Sequence, residues 1–142
     1  MPRYMIQVRA TAMSEAGEFP DDPTLVPRMM AFHDEMAKAG VLLDGAGLQP
    51  SSQGFRVQYD AAGEVLVTDG PFVETKELIA GYTLIEVRSR NEALAWARRF
   101  PAPFPGQPCC IEVRPLMGGI DLPPEDAERI IRDQLATIKH GG

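Results

Sequence analysis

The order in which two hydrophobic periodicities follow one another restricts the fold of this chain more than any other feature. Residues 3–10 alternate, with Tyr4 and Ile6 on the same side, which is typical of a β-strand. In the next periodic segment, apolar residues recur at every third or fourth position, which predicts an amphipathic helix that begins near Thr24 and ends at Gly40. The chain therefore begins with a strand and then a helix.

Three strand segments come next. A short apolar run at residues 41–43, which the sequence DGAG closes, is interpreted as the second strand. Residues 54–59 and 64–68 both alternate and flank a turn, so they predict a β-hairpin. Residues 81–87 alternate again and predict another strand.

The last third of the chain repeats the strand and helix signals. Ser89 and Glu92 form a capping box that predicts the start of a second helix, which extends to about Arg99. Residues 109–114 predict a final core strand. Residues 124–140 then predict a third helix, whose apolar stripe consists of Ile131, Leu135 and Ile138.

Without the hairpin and the third helix, the order is strand, helix, strand, strand, helix, strand. This is the ferredoxin-like βαββαβ plan of the α+β class, with its helices on one face of the sheet. We therefore expect a ferredoxin-like domain at residues 1–117 with an inserted β-hairpin, followed by a helical extension at residues 118–142. The length of 142 residues fits one such domain.

The second face of the predicted sheet is neither fully apolar nor fully polar. Alternation assigns it Met5, Gln7, Arg9, Cys110, Glu112 and Arg114. A homodimer that packs sheet to sheet would cover this face and could enclose a ligand cavity.

Composition excludes several functions. The formal net charge of −6 disfavours nucleic-acid binding. The chain has no apolar run of about 18 residues and no signal-peptide pattern at its start, so a cytoplasmic protein without a membrane span is expected. Neither a metal-ligand spacing of Cys and His nor a nucleotide-binding glycine motif is present, so no metal and no cofactor are expected.

His33 is a candidate catalytic residue on the flank of the first predicted helix, four residues after Met29. One interpretation is a half-buried histidine that bonds to a backbone carbonyl. The other is a general acid or base, because imidazole titrates near neutral pH and a carboxylate partner would fix its tautomer. The candidate carboxylates are Asp69, Glu74 and Asp44.

Residues 69–77 read DGPFVETKE and crowd acidic residues and a lysine between two predicted strands. One interpretation is a solvated turn, in which Asp69 accepts a backbone hydrogen bond and Lys76 pairs with an acid. In the functional interpretation this loop reaches a ligand. The candidate binding residues are then Asp44, Glu74, Lys76 and Arg9.

The loop DGPFVETKE resembles the loop that gives the DGPF subgroup of the YCII-related family its name. The similarity extends to RYM at residues 3–5, GAGLQP at 45–50, GY at 81–82 and EVRP at 112–115. It implies a dimeric α+β barrel of ferredoxin-like subunits. Wider relatives have been proposed to use a His and Asp pair, which falls here on His33 and on Asp69, with Asp44 as the alternative acid.

Two functions are therefore expected. The first is a small-molecule enzyme in which His33 transfers a proton and Asp69 orients it. The alternative is a ligand-binding or regulatory module without turnover, since members of the DGPF subgroup are often encoded beside extracytoplasmic-function sigma factors.

Overall fold

A computed structural model describes residues 1–118 of the chain. The predicted helix at residues 124–140 lies outside the described residues. The elements are, in chain order, β1 (Arg3–Arg9), α1 (Ala12–Glu15), α2 (Leu25–Lys38), β2 (Leu42–Gly47), β3 (Phe55–Tyr59), β4 (Val65–Asp69), β5 (Ile79–Glu86), α3 (Arg90–Arg99) and β6 (Ile111–Pro115).

Four of the strands form the main sheet in the order β2-β5-β1-β6, and each neighbouring pair is antiparallel. Helix α2 lies between β1 and β2 in sequence, and α3 lies between β5 and β6. This arrangement confirms the α+β class and is consistent with a ferredoxin-like fold. Strands β3 and β4 form a separate antiparallel pair, which lies between β2 and β5 in sequence.

The core lies between one face of the main sheet and the two longer helices. Its buried residues are Tyr4, Ile6, Ile85 and Val87 from the sheet side, Phe32, Met36 and Ala93 from the helices, and Val41. The sheet residues are separated by two positions along β1 and β5, as alternation requires. Thus the periodicities in the sequence identify the buried face correctly.

Helix ends follow the expected local chemistry. Gly40, just after α2, has a φ of 77°, a conformation that glycine adopts without strain. The Ser89 side chain accepts a hydrogen bond from the backbone N–H of Glu92 at the start of α3. Both signals were correctly interpreted from the sequence.

Strand β2 is longer than the sequence predicts. The DGAG sequence continues the strand instead of closing it, and Asp44, Gly45, Ala46 and Gly47 pair with residues 81–84 of β5. Small side chains let the two backbones lie close together, since a Cβ on Gly81 would be only 3.0 Å from the carbonyl oxygen of Ala46. The prediction that DGAG ends the strand was therefore wrong, because these residues pair with a long neighbouring strand.

The segment between β1 and α2, which has no sequence periodicity, contains the short helix α1. Thr11 and Ser14 cap it reciprocally, each side chain accepting from the backbone N–H of the other residue. This helix has no buried residue and was therefore invisible to hydrophobic periodicity.

Candidate functional site

A cavity of about 670 Å³ lies between α2 and the helix-covered face of the main sheet. Its volume falls in the range of small-molecule sites. The lining is mostly apolar, and its large apolar side chains are Phe19, Leu25, Val26, Met29, Met30, Leu48, Phe100 and Phe104.

Three glycines on two neighbouring strands make room for this cavity. Gly45 and Gly47 on β2 and Gly81 on β5 all line it. Gly47 and Gly81 are paired with each other, and Gly81 is also paired with Val8 of β1. Because these positions have no side chain, the sheet leaves a hollow beneath α2. A Cβ at Gly47 would meet no atom within 4 Å, so the space beside it is open.

His33 is half-buried in the cavity wall, and both of its ring nitrogens have partners in the protein. Nδ1 lies 2.8 Å from the carbonyl oxygen of Met29, and Nε2 lies 2.8 Å from Oγ1 of Thr83. A carbonyl oxygen only accepts, so Nδ1 carries the hydrogen. In the neutral ring Nε2 is therefore the acceptor, and the Thr83 hydroxyl donates to it.

Aromatic rings hold the imidazole from two sides. The centroids of Phe100 and Phe32 lie 5.9 Å and 6.2 Å from that of His33, both in edge-to-face geometry. With these contacts and both nitrogens bonded, the ring orientation is fixed. The interpretation of His33 as a half-buried histidine bonded to a backbone carbonyl describes this geometry well.

Thr83 is a site residue that the sequence analysis missed. It is only 2% exposed, faces the helices from β5, and lines the cavity beside His33. The alternation of the predicted strand could have identified Thr83 as a candidate. Residues 81, 83, 85 and 87 form the inward side of the predicted strand, and Thr83 is the polar member of that set.

The DGPF segment lies elsewhere. Asp69 is exposed at the end of β4, opposite Phe55, and it is not among the residues that line the cavity. Glu74 and Lys76, in the loop that follows, are also exposed and outside the lining. Both ring nitrogens of His33 are hydrogen-bonded to other groups. The pairing of Asp69 with His33 stays a prediction.

Ser51 explains the conformation of this loop. A Cβ on Gly70 would lie 1.9 Å from the carbonyl oxygen of Ser51, so only glycine fits there. The Ser51 hydroxyl accepts a hydrogen bond from the backbone N–H of Phe72 at 2.9 Å. The guanidinium of Arg56 lies 3.8 Å above the centroid of the Phe72 ring. The loop is therefore held against its own pair of strands and the preceding turn.

The carboxylate of Glu15 connects this loop to α1. It accepts hydrogen bonds from both the backbone N–H and the hydroxyl of Ser51. Neighbouring Ser14 and Gly17 line the cavity. The loop thus supports one wall of the cavity through Ser51 without lining it.

Asp44 and Arg9 both have partners within the protein. Asp44 accepts from its neighbour Gly45 and from the hydroxyl of Tyr82 at 3.3 Å. Arg9 lies 3.6 Å from Glu112 across the β1–β6 pair. Neither Asp44 nor Arg9 is among the lining residues, so their role in binding stays a prediction.

The match to known proteins covers almost the whole described region. A family model for the YCII-related domain matches residues 3–117. The chain belongs to the YCII-related family. A relative in Rhizobium meliloti (strain 1021) is 36% identical over 96 residues, which are 68% of this chain and 76% of the relative. That relative is itself described as an uncharacterized protein.

Two features are absent from residues 1–118. Within that range, no three or more His, Cys, Asp or Glu residues are grouped so that they could hold a metal ion. None of the helices in the same range has both the length and the apolar character that a membrane crossing requires.

Proposed function

We propose that this YCII-related protein binds a small, mostly apolar molecule in the cavity between α2 and the sheet. The observation that carries this proposal is the position of the His33–Thr83 hydrogen bond, which places a polar pair in an otherwise mostly apolar wall. Apolar sites with a few fixed polar groups are typical of small-molecule binding.

A thermal-stability screen of metabolite pools tests binding, because a ligand that binds only the native state raises the melting temperature. The sharpest comparison uses Gly47→Leu, which places a side chain in open space of the cavity. We expect a hit to stabilise the wild type and to lose its effect in this variant.

Gly54→Leu is the matched control, because Gly54 lies outside the lining and a Cβ there makes only ordinary contact with Ser51 at 3.6 Å. It should respond to the hit as the wild type does. A hit that stabilises Gly47→Leu as strongly as the wild type would place the binding elsewhere and contradict the proposal.

Proton transfer by His33 is a second candidate function, and the tautomer favours it. With Nδ1–H held by the Met29 carbonyl, the lone pair of the neutral ring is on Nε2, where it accepts the hydrogen of the Thr83 hydroxyl, so His33 would act as a general base through that hydroxyl. Once a ligand is identified, exchange of its acidic protons with deuterated solvent measures this activity. Equal exchange by wild type and His33→Gln would rule it out.

The family resemblance adds expectations about assembly. The DGPF loop supports membership of the DGPF subgroup, and the open sheet face with Gln7, Arg9 and Glu112 supports a dimeric barrel. A monomeric mass in solution at micromolar concentration would contradict the dimer. A cytoplasmic location, partnership with a sigma factor and a role of Asp69 at His33 stay predictions.

A further inference from the structure

We propose that the cavity selects an uncharged ligand with an apolar body and one terminal hydroxyl group, an alcohol or a phenol. This inference rests on the proposed function, because it names the ligand class for the same cavity. It follows from two independent properties of the lining, its charge and its free hydrogen-bonding capacity.

The charge of the lining disfavours anions. No Lys or Arg of the described residues lines the cavity, whereas the acidic residue Glu18 does. Arg28 on α2 and Arg99 on α3 are already paired, with Asp22 and with Glu35 respectively. The whole chain carries a formal net charge of −6. A carboxylate or phosphate buried beside the neutral His33 ring would have no cationic partner in the lining, which is strongly disfavoured.

The hydrogen bonds at the polar end favour a donor from the ligand. The Nδ1–H of His33 donates to Met29, and the hydroxyl of Thr83 donates to Nε2 of His33. Both protons are therefore used within the protein. The hydroxyl oxygen of Thr83 still has a lone pair at the cavity wall, and this lone pair can accept a hydrogen bond from a ligand. An alcohol supplies the matching proton, and a carboxylate has none.

An ammonium group is also a hydrogen-bond donor, but binding would bury its positive charge in the cavity. The wall around His33 is formed by apolar side chains such as Met29 and Phe100, and Glu18, the carboxylate of the lining, is exposed to solvent. Burying an ammonium group beside apolar side chains costs more than burying a hydroxyl. The uncharged donor is therefore the better match.

Three probes of eight carbon atoms each separate these classes: octanol, octanoate and octylammonium. Each is titrated into the full-length protein at neutral pH, and binding is measured from the shifts of backbone amide signals in NMR spectra. We expect octanol to bind at least about tenfold more tightly than either charged probe, and Gly47→Leu to abolish its binding.

The controls separate this inference from the proposed function. If octanoate or octylammonium binds as tightly as octanol and Gly47→Leu blocks it, the cavity is a ligand site but the ligand class is wrong. If Gly47→Leu changes the binding of none of the three probes while Gly54→Leu behaves like the wild type, both the ligand class and the proposed function are contradicted.

Discussion

The main sheet and the β3–β4 pair have the same alternating sequence pattern but opposite surroundings. In the main sheet, the inward-facing Ile85 is completely buried beneath the helices. In the β3–β4 pair, Phe55, Tyr59 and Val67 share one face, and their exposed fractions are 66%, 72% and 58%. Alternation therefore identifies a strand without showing whether another element covers it.

The same contrast separates the two candidate sites. His33 and Thr83 lie on elements that pack against each other, so their side chains have fixed partners. Asp69, Glu74 and Lys76 lie at the end of β4 and in the loop that follows, where they are exposed. The two candidate sites thus differ in whether packing against other elements fixes the partners of their side chains.

The largest effect in this comparison is expected from removing a core side chain. Ile85→Ala should lower the free energy of unfolding by about 2–5 kcal/mol, because it leaves a cavity among packed residues. Val67→Ala on β4 removes an exposed side chain and should cost less than about 1 kcal/mol. Urea denaturation measures both. Equal losses would mean that the β3–β4 face is covered in solution.

A smaller loss of stability is expected from a substitution at Gly70. Gly70→Ala places a Cβ against the backbone of Ser51 and should cost about 1–3 kcal/mol through forced movement of the loop. Gly47→Ala is the matched control in the other region. Its Cβ meets open space, so stability should be unchanged or slightly raised. If the two variants unfold at the same urea concentration, the close approach to Ser51 is absent in solution.

Thr83→Val is expected to have a still smaller effect. It keeps the side-chain shape but removes the hydroxyl that donates to His33, which should cost about 1 kcal/mol. Thr68→Val on β4 makes the same change at an exposed position and should be nearly neutral. Denaturation of both variants tests this difference. A neutral Thr83→Val would show that the bond adds nothing to stability.

The smallest contribution to stability is expected from the carboxyl group of Asp22, just before α2. The side-chain and backbone hydrogen bonds from Thr24, together with Arg28, lower the pKa of this carboxyl from its ordinary value of 3.8. Since the folded state holds the proton less tightly than the unfolded state, the contribution to stability is present above pH 3.8 and is lost as the pH falls below it.

Melting temperatures of wild type and Asp22→Asn as a function of pH measure this contribution. The wild type should be slightly more stable at neutral pH, and the difference should shrink in acid. A difference that stays constant down to strongly acidic pH would contradict the assigned cause.

Local patterns were enough to predict the main elements. The alternation of β1, the capping Ser89 and the terminating Gly40 act over a few residues, so the sequence alone identifies strand, helix start and helix end. Even so, the DGAG sequence was wrongly interpreted as the end of the second strand. Its conformation depends on β5, which lies more than 30 residues further along the chain.

Sequence patterns alone predict the main strands, the two longer helices, their inward faces and His33 as a candidate site residue. Only the tertiary structure decided which group bonds to that histidine. Thr83 is 50 residues away from it, and the contact exists because the register of β5 places Thr83 beneath α2. Register and helix packing arise from the cooperative fit of many side chains, so no short segment of the sequence encodes the pair.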